Sequence, residues 1–573
     1  MKFFHNNPLF YLFKMIKWPK FLFLIAISIT SLGSLSELAV PLLTGKFIDL
    51  LVKDGINYKF IAILGLVFML DALLNGIGMF LLIKAGEKII YSIRLLLWNK
   101  IIYLKVPFFD KNANGQLISR LTEDTSLVNN FISQKVPSVI PEILTLLGSL
   151  VMLFIMDWKM TLLTFIIIPL FLLVVIPLSN IIESLSQSTQ LEIAKFTGII
   201  SKVLSVIRLV KISHTESKEL LDAKEKLNSI YFLNMKHAKI TAILEPFSNI
   251  LLIIMIGIIL GFGGYRISIG AITSGTLVTM IFYVIQLSSP ITSLSTLLTD
   301  YKHAKGATKR ISEILKEKQE NFVGLSYKKL PLYDLSFNSV YFSYNKNYIL
   351  KNISFTIPKN KITAIVGPSG SGKTTILSLV TRMYHINSGS INFGNESIYN
   401  FDLAEWRENI GYVMQNNSII SGSIRENILY GIKKNISEEH FKKYVRLSNS
   451  YDFIMSLEDK YNSEVGENGD KLSGGQKQRI DIARNLIKNP QILLLDEATA
   501  SLDSESETKI QNALTLLSQN RTTVIVAHRL STIKNADQII FLDNGEITGS
   551  GTHDYLMNTH EKYKKFVSNQ KLS

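Results

Sequence analysis

Two glycine-rich stretches of the sequence have the composition of phosphate-binding loops. In the first, "GPSGSGKTT" at 367–375, Gly367, Gly372, Lys373 and Thr374 fit the pattern G-x-x-x-x-G-K-[ST]. A strand-like "KITAIV" precedes this stretch and a helix-like "TILSLV" follows its lysine. Glycines let backbone N–H groups approach phosphate, a helix N-terminus adds positive potential, Lys373 can reach the β- and γ-oxygens, and Thr374 can bind Mg²⁺. The stretch therefore predicts a site for ATP.

Two acidic residues end an apolar run further along the chain. In "QILLLDEATASLD" at 491–503, a buried strand would deliver Asp496 and Glu497 to the carboxyl edge of a sheet. Asp496 suits a water linked to Mg²⁺, and Glu497 is placed to act as general base on the attacking water. After a phosphate loop, this acidic pair indicates hydrolysis of the nucleotide.

The second glycine-rich stretch, "KLSGGQKQR" at 471–479, raises a question because one nucleotide does not need two phosphate loops. Its glycines, serine and basic neighbours again suit phosphate, and a helix would begin after Gly475. The sequence pattern alone leaves open which phosphate this stretch contacts.

Composition favours a membrane protein with more than one domain. The chain has 573 residues, of which 47% are hydrophobic, and no cysteine, which excludes disulfides and thiol chemistry. The net charge is +15. Residues 1–320 carry 32 Lys+Arg and 21 Asp+Glu (+11), and residues 321–573 carry 29 and 25 (+4). Because the excess lies in the apolar half, it indicates basic cytoplasmic loops rather than a nucleic-acid surface.

Six apolar stretches in the first half are long enough to cross a bilayer, which takes about 20 residues. Loops at 84–120 and 195–239 carry seven and nine basic residues, so they are expected in the cytoplasm together with both termini. Apolar residues at three- and four-residue spacing predict that both loops are helical continuations of the spans. The predicted spans are approximately 21–45, 59–83, 134–156, 160–182, 246–265 and 273–298.

Three acidic residues fall within or near these spans: Glu37, Asp71 and Glu142. Each would cost ~2.5–3.5 kcal/mol at the centre of an isolated spanning helix, so each should face protein or water. One interpretation is a counter-charge for a cationic substrate or a proton. The other, which we favour from sequence alone, is an interhelical hydrogen bond or a position near the interface.

With these motifs in order, the chain resembles the ATP-binding cassette (ABC) transporters, specifically bacterial exporters of the multidrug and lipid type. "LSGGQ" is the signature of that family, and the resemblance covers nearly the whole chain. "VPLLTGKFIDLL" resembles the end of its first span and "FFDKNANGQLISRLTEDT" its first cytoplasmic loop. By the resemblance, residues near 112–120 and 205–217 are coupling helices that rest on the ATPase domains.

The resemblance also assigns roles to individual residues. Tyr344 in "VYFSYNKN" is implied to stack on adenine, Gln415 in "GYVMQNN" to contact Mg²⁺, and His528 in "VIVAHRLSTI" to sense the γ-phosphate. Asp503 is implied to lie in a loop that communicates between sites, and "SEVGENG" at 463–469 resembles an exporter-specific loop. The signature is implied to bind the ATP held by a facing subunit, which answers the question of the second phosphate loop.

The implied ATP-binding residues are Tyr344, Gly367, Pro368, Ser369, Gly370, Ser371, Gly372, Lys373, Thr374 and Thr375. The implied signature residues are Leu472, Ser473, Gly474, Gly475, Gln476 and Asp503; the implied catalytic residues are Glu497, His528 and Gln415; the implied Mg²⁺ ligands are Thr374, Gln415 and Asp496.

The expected architecture is a six-helix transmembrane domain at 1–315, a linker at 316–332 and an α/β P-loop ATPase domain at 333–573. Such a half-transporter is expected in the cytoplasmic membrane, working as a dimer with a second half-transporter, an identical chain or a different one. ATP and Mg²⁺ are the implied cofactors, and no nucleic-acid partner is expected.

Three functions remain open at this stage. The first is export of an amphipathic drug, lipid or hydrophobic peptide, with ATP binding and hydrolysis driving alternating access. The second is export of one antimicrobial peptide for self-protection; because the chain begins almost directly with its first span, no peptidase domain for leader-bearing peptides is expected. The third, an ATP-gated channel or regulatory subunit, is expected to show an inserted regulatory segment or a damaged ATPase site, and the sequence has neither.

Overall fold

The computed structural model describes residues 8–16, 18–165, 167–326, 332–415, 419–496, 504–527 and 533–571. The chain divides into two compact units. The helical unit comprises Met1–Ile101 and Gly115–Lys316, and the sheet unit comprises Ile102–Asn114 and Glu317–Ser573. Glu497, Asp503 and His528 lie outside the described residues.

The helical unit is built from long apolar helices. Within the described residues, five helical segments are long and apolar enough to cross a membrane: Lys20–Asp54, Tyr58–Ile102, Asn114–Met156, Glu216–Ser268 and Ser274–Lys316. The predicted span at 160–182 coincides with helices Trp158–Phe165 and Ile167–Ser205, on either side of residue 166, which is not described. Five of the predicted spans therefore coincide with such segments, and the count of six stays a prediction.

The helices continue far beyond the apolar stretches. Tyr58–Ile102 has 45 residues and Glu216–Ser268 has 53, whereas about 20 suffice to cross the hydrocarbon core. The two basic loops are helical, as their spacing predicts. The first contains Asn114–Ser119, and the chain continues past its end through the π-helical turn Arg120–Asp124, the helix Thr125–Asn130 and the π-helical turn Phe131–Lys135. The second contains Ile207–Ile212. The other helices of this unit are Pro8–Met15, Val136–Met156, Ser274–Gln286 and Ser288–Lys316.

A short piece of the first basic loop belongs to the sheet unit. Helix Val106–Lys111 has Pro107 in its first turn, and the chain turns extended at Asn112. Within the sheet unit, the Tyr384 hydroxyl donates to the Asp110 carboxylate at 2.5 Å. The segment that groups with the sheet unit thus ends at Asn114 and lies mostly upstream of the expected coupling helix at 112–120.

The sheet unit contains two β-sheets. The strands are β1 Leu335–Phe342, β2 Leu350–Ile357, β3 Ile362–Val366, β4 Ser388–Phe393, β5 Glu396–Ser397, β6 Ile410–Val413, β7 Ile492–Asp496, β8 Thr522–Val526, β9 Gln538–Asp543 and β10 Glu546–Gly551. An antiparallel sheet has the strand order β2-β1-β4-β5, and a six-stranded sheet has the order β10-β9-β3-β8-β7-β6. In the larger sheet all neighbouring strands are parallel except β9 and β10.

Helices complete this unit and cover the parallel sheet. All five residues of β7 are buried, which explains the continuous apolar run "ILLLD". The α-helices are Lys373–Val380, Leu403–Glu408, Ile424–Leu429, Glu438–Leu447, Tyr451–Met455, Gly474–Lys488, Ser504–Ser518, His553–Thr559 and Glu561–Lys571. Because β3, β8, β7 and β6 are adjacent and parallel, their carboxyl ends meet at one edge of the sheet.

Candidate functional site

The phosphate loop predicted from the sequence connects β3 to helix Lys373–Val380. Gly370 and Gly372 have φ values of +79° and +103°, a region that glycine adopts readily. The Lys373 side chain is buried, and its Nζ donates to the carbonyl oxygens of Gly367 at 2.9 Å and Pro368 at 2.8 Å. The loop thus surrounds the ammonium group at the N-terminus of the helix. Phosphate oxygens bound there would be stabilised by the charge of the ammonium group and by the positive end of the helix dipole.

Gly367 and Gly370 give a matched test of this loop. A Cβ at Gly367 would lie 2.0 Å from the Leu542 carbonyl oxygen, whereas a Cβ at Gly370 would meet nothing within 4 Å. We expect Gly367→Ala to displace the loop and lower the affinity for ATP at least tenfold. Gly370→Ala should leave the loop in place, because its only cost is the backbone strain of a positive φ at alanine, on the order of 1 kcal/mol. Equilibrium binding of a fluorescent ATP analogue compares the two variants, and equal affinities would contradict this account of the loop.

Two of the three proposed Mg²⁺ ligands contact each other. The Thr374 hydroxyl donates to Asp496 Oδ1 at 3.1 Å, and the Tyr412 hydroxyl lies 3.3 Å from Asp496 Oδ2. Burial, and then the neighbouring Asp496 carboxylate, raise the pKa of Tyr412, so the phenol stays protonated and donates. A hydroxyl and one buried carboxylate suit Mg²⁺, which combines few protein oxygens with waters and substrate phosphates. The oxygen donors therefore fit the expected ion.

Tyr344 follows β1 and lies beside the phosphate loop. Its hydroxyl lies 3.4 Å from Thr375 Oγ1. Phe342 and Tyr384 hold the ring edge-on, with centroids at 4.9 Å and 4.8 Å. The residue is 41% exposed and borders a cavity of about 760 Å³ within the sheet unit. A ring fixed at its edges and accessible to solvent can stack on an aromatic base.

Gln415, Glu497 and His528 follow the adjacent strands β6, β7 and β8. Gln415 is exposed, and residues 416–418 after it are not described. Asp496 pairs with Val526 across β7 and β8, and Val413 pairs with Leu495 across β6 and β7. The strand ends that carry these residues therefore lie at one edge of the sheet, beside the end of β3. The positions of Glu497 and His528 themselves stay predictions.

The signature stretch begins helix Gly474–Lys488. Ser473 caps this helix: its hydroxyl accepts the Gln476 N–H at 3.3 Å, and its own N–H donates to Gln476 Oε1 at 2.9 Å. At the helix N-terminus Ser473 is exposed and Gln476 is partly buried. Leu472 is also partly buried and packs against the apolar cluster that includes Phe441 and Ile480. The cap leaves the N–H groups of Gly474 and Gly475 directed along the helix axis, towards an anion placed there.

Asp481, a buried carboxylate on the signature helix, was not among the residues predicted from the sequence. It is 3% exposed, pairs with Arg484 Nη1 at 3.2 Å and accepts the backbone N–H of Met414, the neighbour of Gln415. Burial raises the pKa of Asp481 to about 6, although Arg484 and the Met414 N–H act in the opposite direction. The only sequence signal is an acid between Ile480 and Ile482, on the apolar part of the helix.

This shift predicts a pH-dependent stability. The folded chain binds the Asp481 proton more tightly than the unfolded chain, whose aspartates titrate near 3.9. The contribution of Asp481 to stability therefore falls as the pH rises from about 4 to about 6. Between pH 5 and pH 7 the free energy of unfolding of the wild type should fall by ~1 kcal/mol relative to that of Asp481→Asn. Thermal unfolding at pH 5, 6 and 7 measures this difference, with exposed Asp452→Asn as control. A pH-independent difference would contradict the assigned shift.

Comparison with known proteins agrees with this architecture. Residues 23–291 match the family model described as the ABC transporter transmembrane region, and residues 350–500 match the family model described as ABC transporter. The chain belongs to the ABC transporter family. It joins one helical transmembrane region to one ATP-binding domain, which is the organisation of a half-transporter with ATPase-coupled transport.

Three relatives are similar to this chain over most of its length. The chain is 38% identical to a "Multidrug resistance ABC transporter ATP-binding and permease protein" of Lactococcus lactis subsp. cremoris, covering 96% of this chain and 94% of the relative. It is 35% identical to a "Putative multidrug export ATP-binding/permease protein" of Staphylococcus aureus, covering 85% of each. It is 32% identical to an "ATP-dependent lipid A-core flippase" of Syntrophus aciditrophicus, covering 95% and 90%.

Proposed function

We propose that this chain is an ATP-driven exporter that moves amphipathic molecules out of the cytoplasm. The observation that carries the proposal is an assembled phosphate loop on the same chain as apolar spanning helices: Lys373 donates to the Gly367 carbonyl oxygen, and the Thr374 hydroxyl donates to Asp496. Relatives named for multidrug export and for lipid A-core flipping support an amphipathic substrate. The proposed domain limits are 1–315, 316–332 and 333–573.

The proposed ATP site assigns one task to each residue. Lys373 and the backbone N–H groups of 367–375 bind the β- and γ-phosphates, and Tyr344 stacks on the adenine. Thr374, Asp496 and Gln415 would hold Mg²⁺, which supplies charge neutralisation at the phosphates. Glu497 takes a proton from the attacking water, and His528 contacts the γ-phosphate. Tyr412 fixes the orientation of the Asp496 carboxylate through its hydroxyl.

The proposed partner is a second copy of this chain. The N–H groups of Gly474 and Gly475 and the Ser473 hydroxyl lie at a helix N-terminus, where Ser473 and Gln476 bond to each other within one turn. This end is thus available for the γ-phosphate of ATP on a facing subunit, with Asp503 in the loop between the two sites. ATP then favours the closed dimer because it contacts both subunits only in that state. Closure and reopening would switch the spanning helices between inward- and outward-facing arrangements.

A mixing experiment tests the shared site. Ser473→Arg places a bulky cation at the signature, and Lys373→Ala removes the phosphate-binding amine. Each variant alone should have almost no ATP turnover, because both sites of its homodimer are damaged. Mixed chains should regain turnover, since each mixed dimer contains one undamaged site. Turnover is measured after co-reconstitution, with each variant alone as the control; mixtures that regain no activity would contradict the shared site.

The proposed location is the cytoplasmic membrane, with the ATPase domain and both termini in the cytoplasm. The basic loops at 84–120 and 195–239 support this orientation through their charge. Protease protection of vesicles checks it, because a cytoplasmic ATPase domain is cleaved in inside-out vesicles and protected in right-side-out vesicles.

The export proposal is tested with purified protein in inside-out vesicles. ATP added outside should drive accumulation of an amphipathic fluorescent probe inside, and a non-hydrolysable ATP analogue should not. Absence of ATP-dependent accumulation for cationic, neutral and lipid-like probes alike, in vesicles with active ATPase, would contradict export.

A further inference from the structure

The helical unit contains a cavity of about 390 Å³ that the ATPase chemistry does not involve. Its walls come from the helices Lys20–Asp54, Tyr58–Ile102, Val136–Met156 and Ser288–Lys316 together with the turn Phe131–Lys135. Apolar side chains such as Met79, Leu82 and Ile83 form one part of the wall. This volume falls within the range of small-molecule sites, about 300–1,000 Å³. The cavity is therefore large enough for part of an amphipathic molecule.

The polar part of the wall is acidic. Glu37 and Glu142 line the cavity with neutral polar groups that include Asn75, Gln134 and Thr145. No lysine, arginine or histidine is among the described residues that line it. The lining thus carries two carboxylates, from two different helices, and no compensating cation.

The carboxylates have neutral neighbours. Glu142 Oε1 accepts the Ser293 hydroxyl at 2.6 Å, and Glu37 faces Thr145 and Gln286. A third carboxylate, Asp71, lies close enough to repel Glu37. None of these three carboxylates has an ion pair within the described part of the chain, and the nearby Lys135 pairs with Asp300 at 3.2 Å.

Asp71 contacts a residue that lines the same cavity. Its Oδ1 accepts Asn75 Nδ2 at 3.1 Å, and Asn75 lines the wall. The negative charge at this place therefore comes from three helices.

The three carboxylates lie at similar depths. At about 1.5 Å per residue, Glu37 is ~25 Å along its helix from Asp54, Asp71 is ~20 Å from Tyr58, and Glu142 is ~21 Å from Met156. These ends lie on the side opposite the basic loops. Charge is costly inside a span, and acidic residues there face cavities that serve a substrate or ion.

Interhelical hydrogen bonding alone does not explain this arrangement. A glutamine at 142 would accept the Ser293 hydroxyl without bringing a charge into the span, and the same holds for residue 37 beside Thr145. A carboxylate differs from an amide of the same size in its negative charge, which attracts a cation.

We propose that this cavity receives the positively charged group of an amphipathic substrate, with Glu37 and Glu142 as its counter-charges. The apolar wall formed by Met79, Leu82 and Ile83 contacts the hydrophobic part of the same molecule. The inference rests on the proposed export function and adds a preference for cations over neutral or anionic amphipaths.

The experiment compares two probes in the same inside-out vesicles. Ethidium is a permanent cation, and a fluorescent phosphatidylcholine analogue has no net charge. The test variant is Glu37→Gln/Glu142→Gln, which keeps side-chain size and removes the charge. Glu37→Asp/Glu142→Asp keeps the charge. Glu245→Gln removes an exposed carboxylate of the helix Glu216–Ser268 that does not line the cavity.

We expect the glutamine double variant to lower ATP-dependent ethidium transport at least tenfold, because the cation loses desolvated charge partners. Movement of the phospholipid analogue and basal ATP turnover should stay within about twofold. The aspartate double variant and Glu245→Gln should retain ethidium transport. If the glutamine double variant does not assemble, the single variants Glu37→Gln and Glu142→Gln should each weaken ethidium binding, measured by fluorescence, relative to their aspartate counterparts.

Four outcomes would overturn the inference. Unchanged ethidium transport in the glutamine variant removes the role of the charges, and an equal loss for both probes shows a structural role instead. Wild-type protein that moves the phospholipid analogue but not ethidium contradicts the cation preference while export stands. Wild-type protein that moves neither probe contradicts the proposed export itself, and the inference fails with it.

Discussion

Lys373→Ala is expected to reduce ATP turnover by about 10²–10³-fold, the loss typical for one preorganised donor to a developing charge. The ammonium group is buried and fixed by the carbonyl oxygens of Gly367 and Pro368, so its position is set before ATP arrives. Alanine cannot replace its charge, and no other lysine or arginine lies in the loop 367–375. ATP affinity should fall together with turnover, because the same contacts hold the β- and γ-phosphates.

Phosphate release from purified protein measures the effect, and binding of a fluorescent ATP analogue measures the affinity. Lys359→Ala, at an exposed turn between β2 and β3, is the matched control and should behave as wild type. Turnover within tenfold of wild type in Lys373→Ala would show that this loop does not bind the reacting phosphates.

Glu497→Gln is the second change with a very large expected effect. Glu497 follows Asp496 directly, and the Asp496 carboxylate is held by Thr374 and Tyr412 at the end of β7. Glutamine keeps the size of the side chain but cannot take the proton of the attacking water. Turnover should fall about 10²–10⁴-fold, the contribution of a positioned general base. ATP affinity should remain within a few fold of wild type, in contrast to Lys373→Ala.

Single-turnover hydrolysis combined with ATP binding separates these two effects. Glu458, an exposed acid of the same sheet unit, provides the control variant Glu458→Gln, which should turn over ATP as wild type does. Full turnover in Glu497→Gln would remove this residue from the chemistry. A parallel loss of ATP binding would give it a binding role instead of a catalytic one.

The chemistry of the phosphate loop could be predicted from the sequence because its signals are local. The run "KITAIVGPSGSGKTT" contains the strand, the glycine turns and the helix start in consecutive residues, and the structure places all three there. "QILLLDEATASLD" likewise identifies β7 as a fully buried strand that ends at Asp496. The parallel strand order then brings the ends of β3, β6, β7 and β8 together.

Contacts between distant residues could not be predicted in this way. Tyr412 on β6 donates to Asp496, and Asp481 on the signature helix accepts the Met414 N–H, but neither pair shares a local pattern. The separate antiparallel sheet, with the order β2-β1-β4-β5, also depends on long-range pairing. In addition, the helix Val106–Lys111 groups with the sheet unit although its sequence continues the spanning part of the chain.

The spanning helices show what hydropathy does and does not predict. Apolar stretches mark where a helix can cross the bilayer, but the helices continue in polar sequence whose three- and four-residue spacing is just as regular. Tyr58–Ile102 therefore extends 19 residues past the predicted limit at 83 (102 − 83). Hydropathy also gives no information about which face a residue occupies. That Glu37 and Glu142 face one cavity follows only from the packing of four helices.

ATP hydrolysis and transport are expected to be coupled in this protein. Phosphate release and probe accumulation are recorded together in inside-out vesicles that contain wild type, Lys373→Ala or Glu497→Gln. Both signals should be present in the wild type, and both should disappear in each variant. Accumulation that continues in either variant without phosphate release, or wild-type phosphate release with no accumulation of any amphipathic probe, would contradict this coupling.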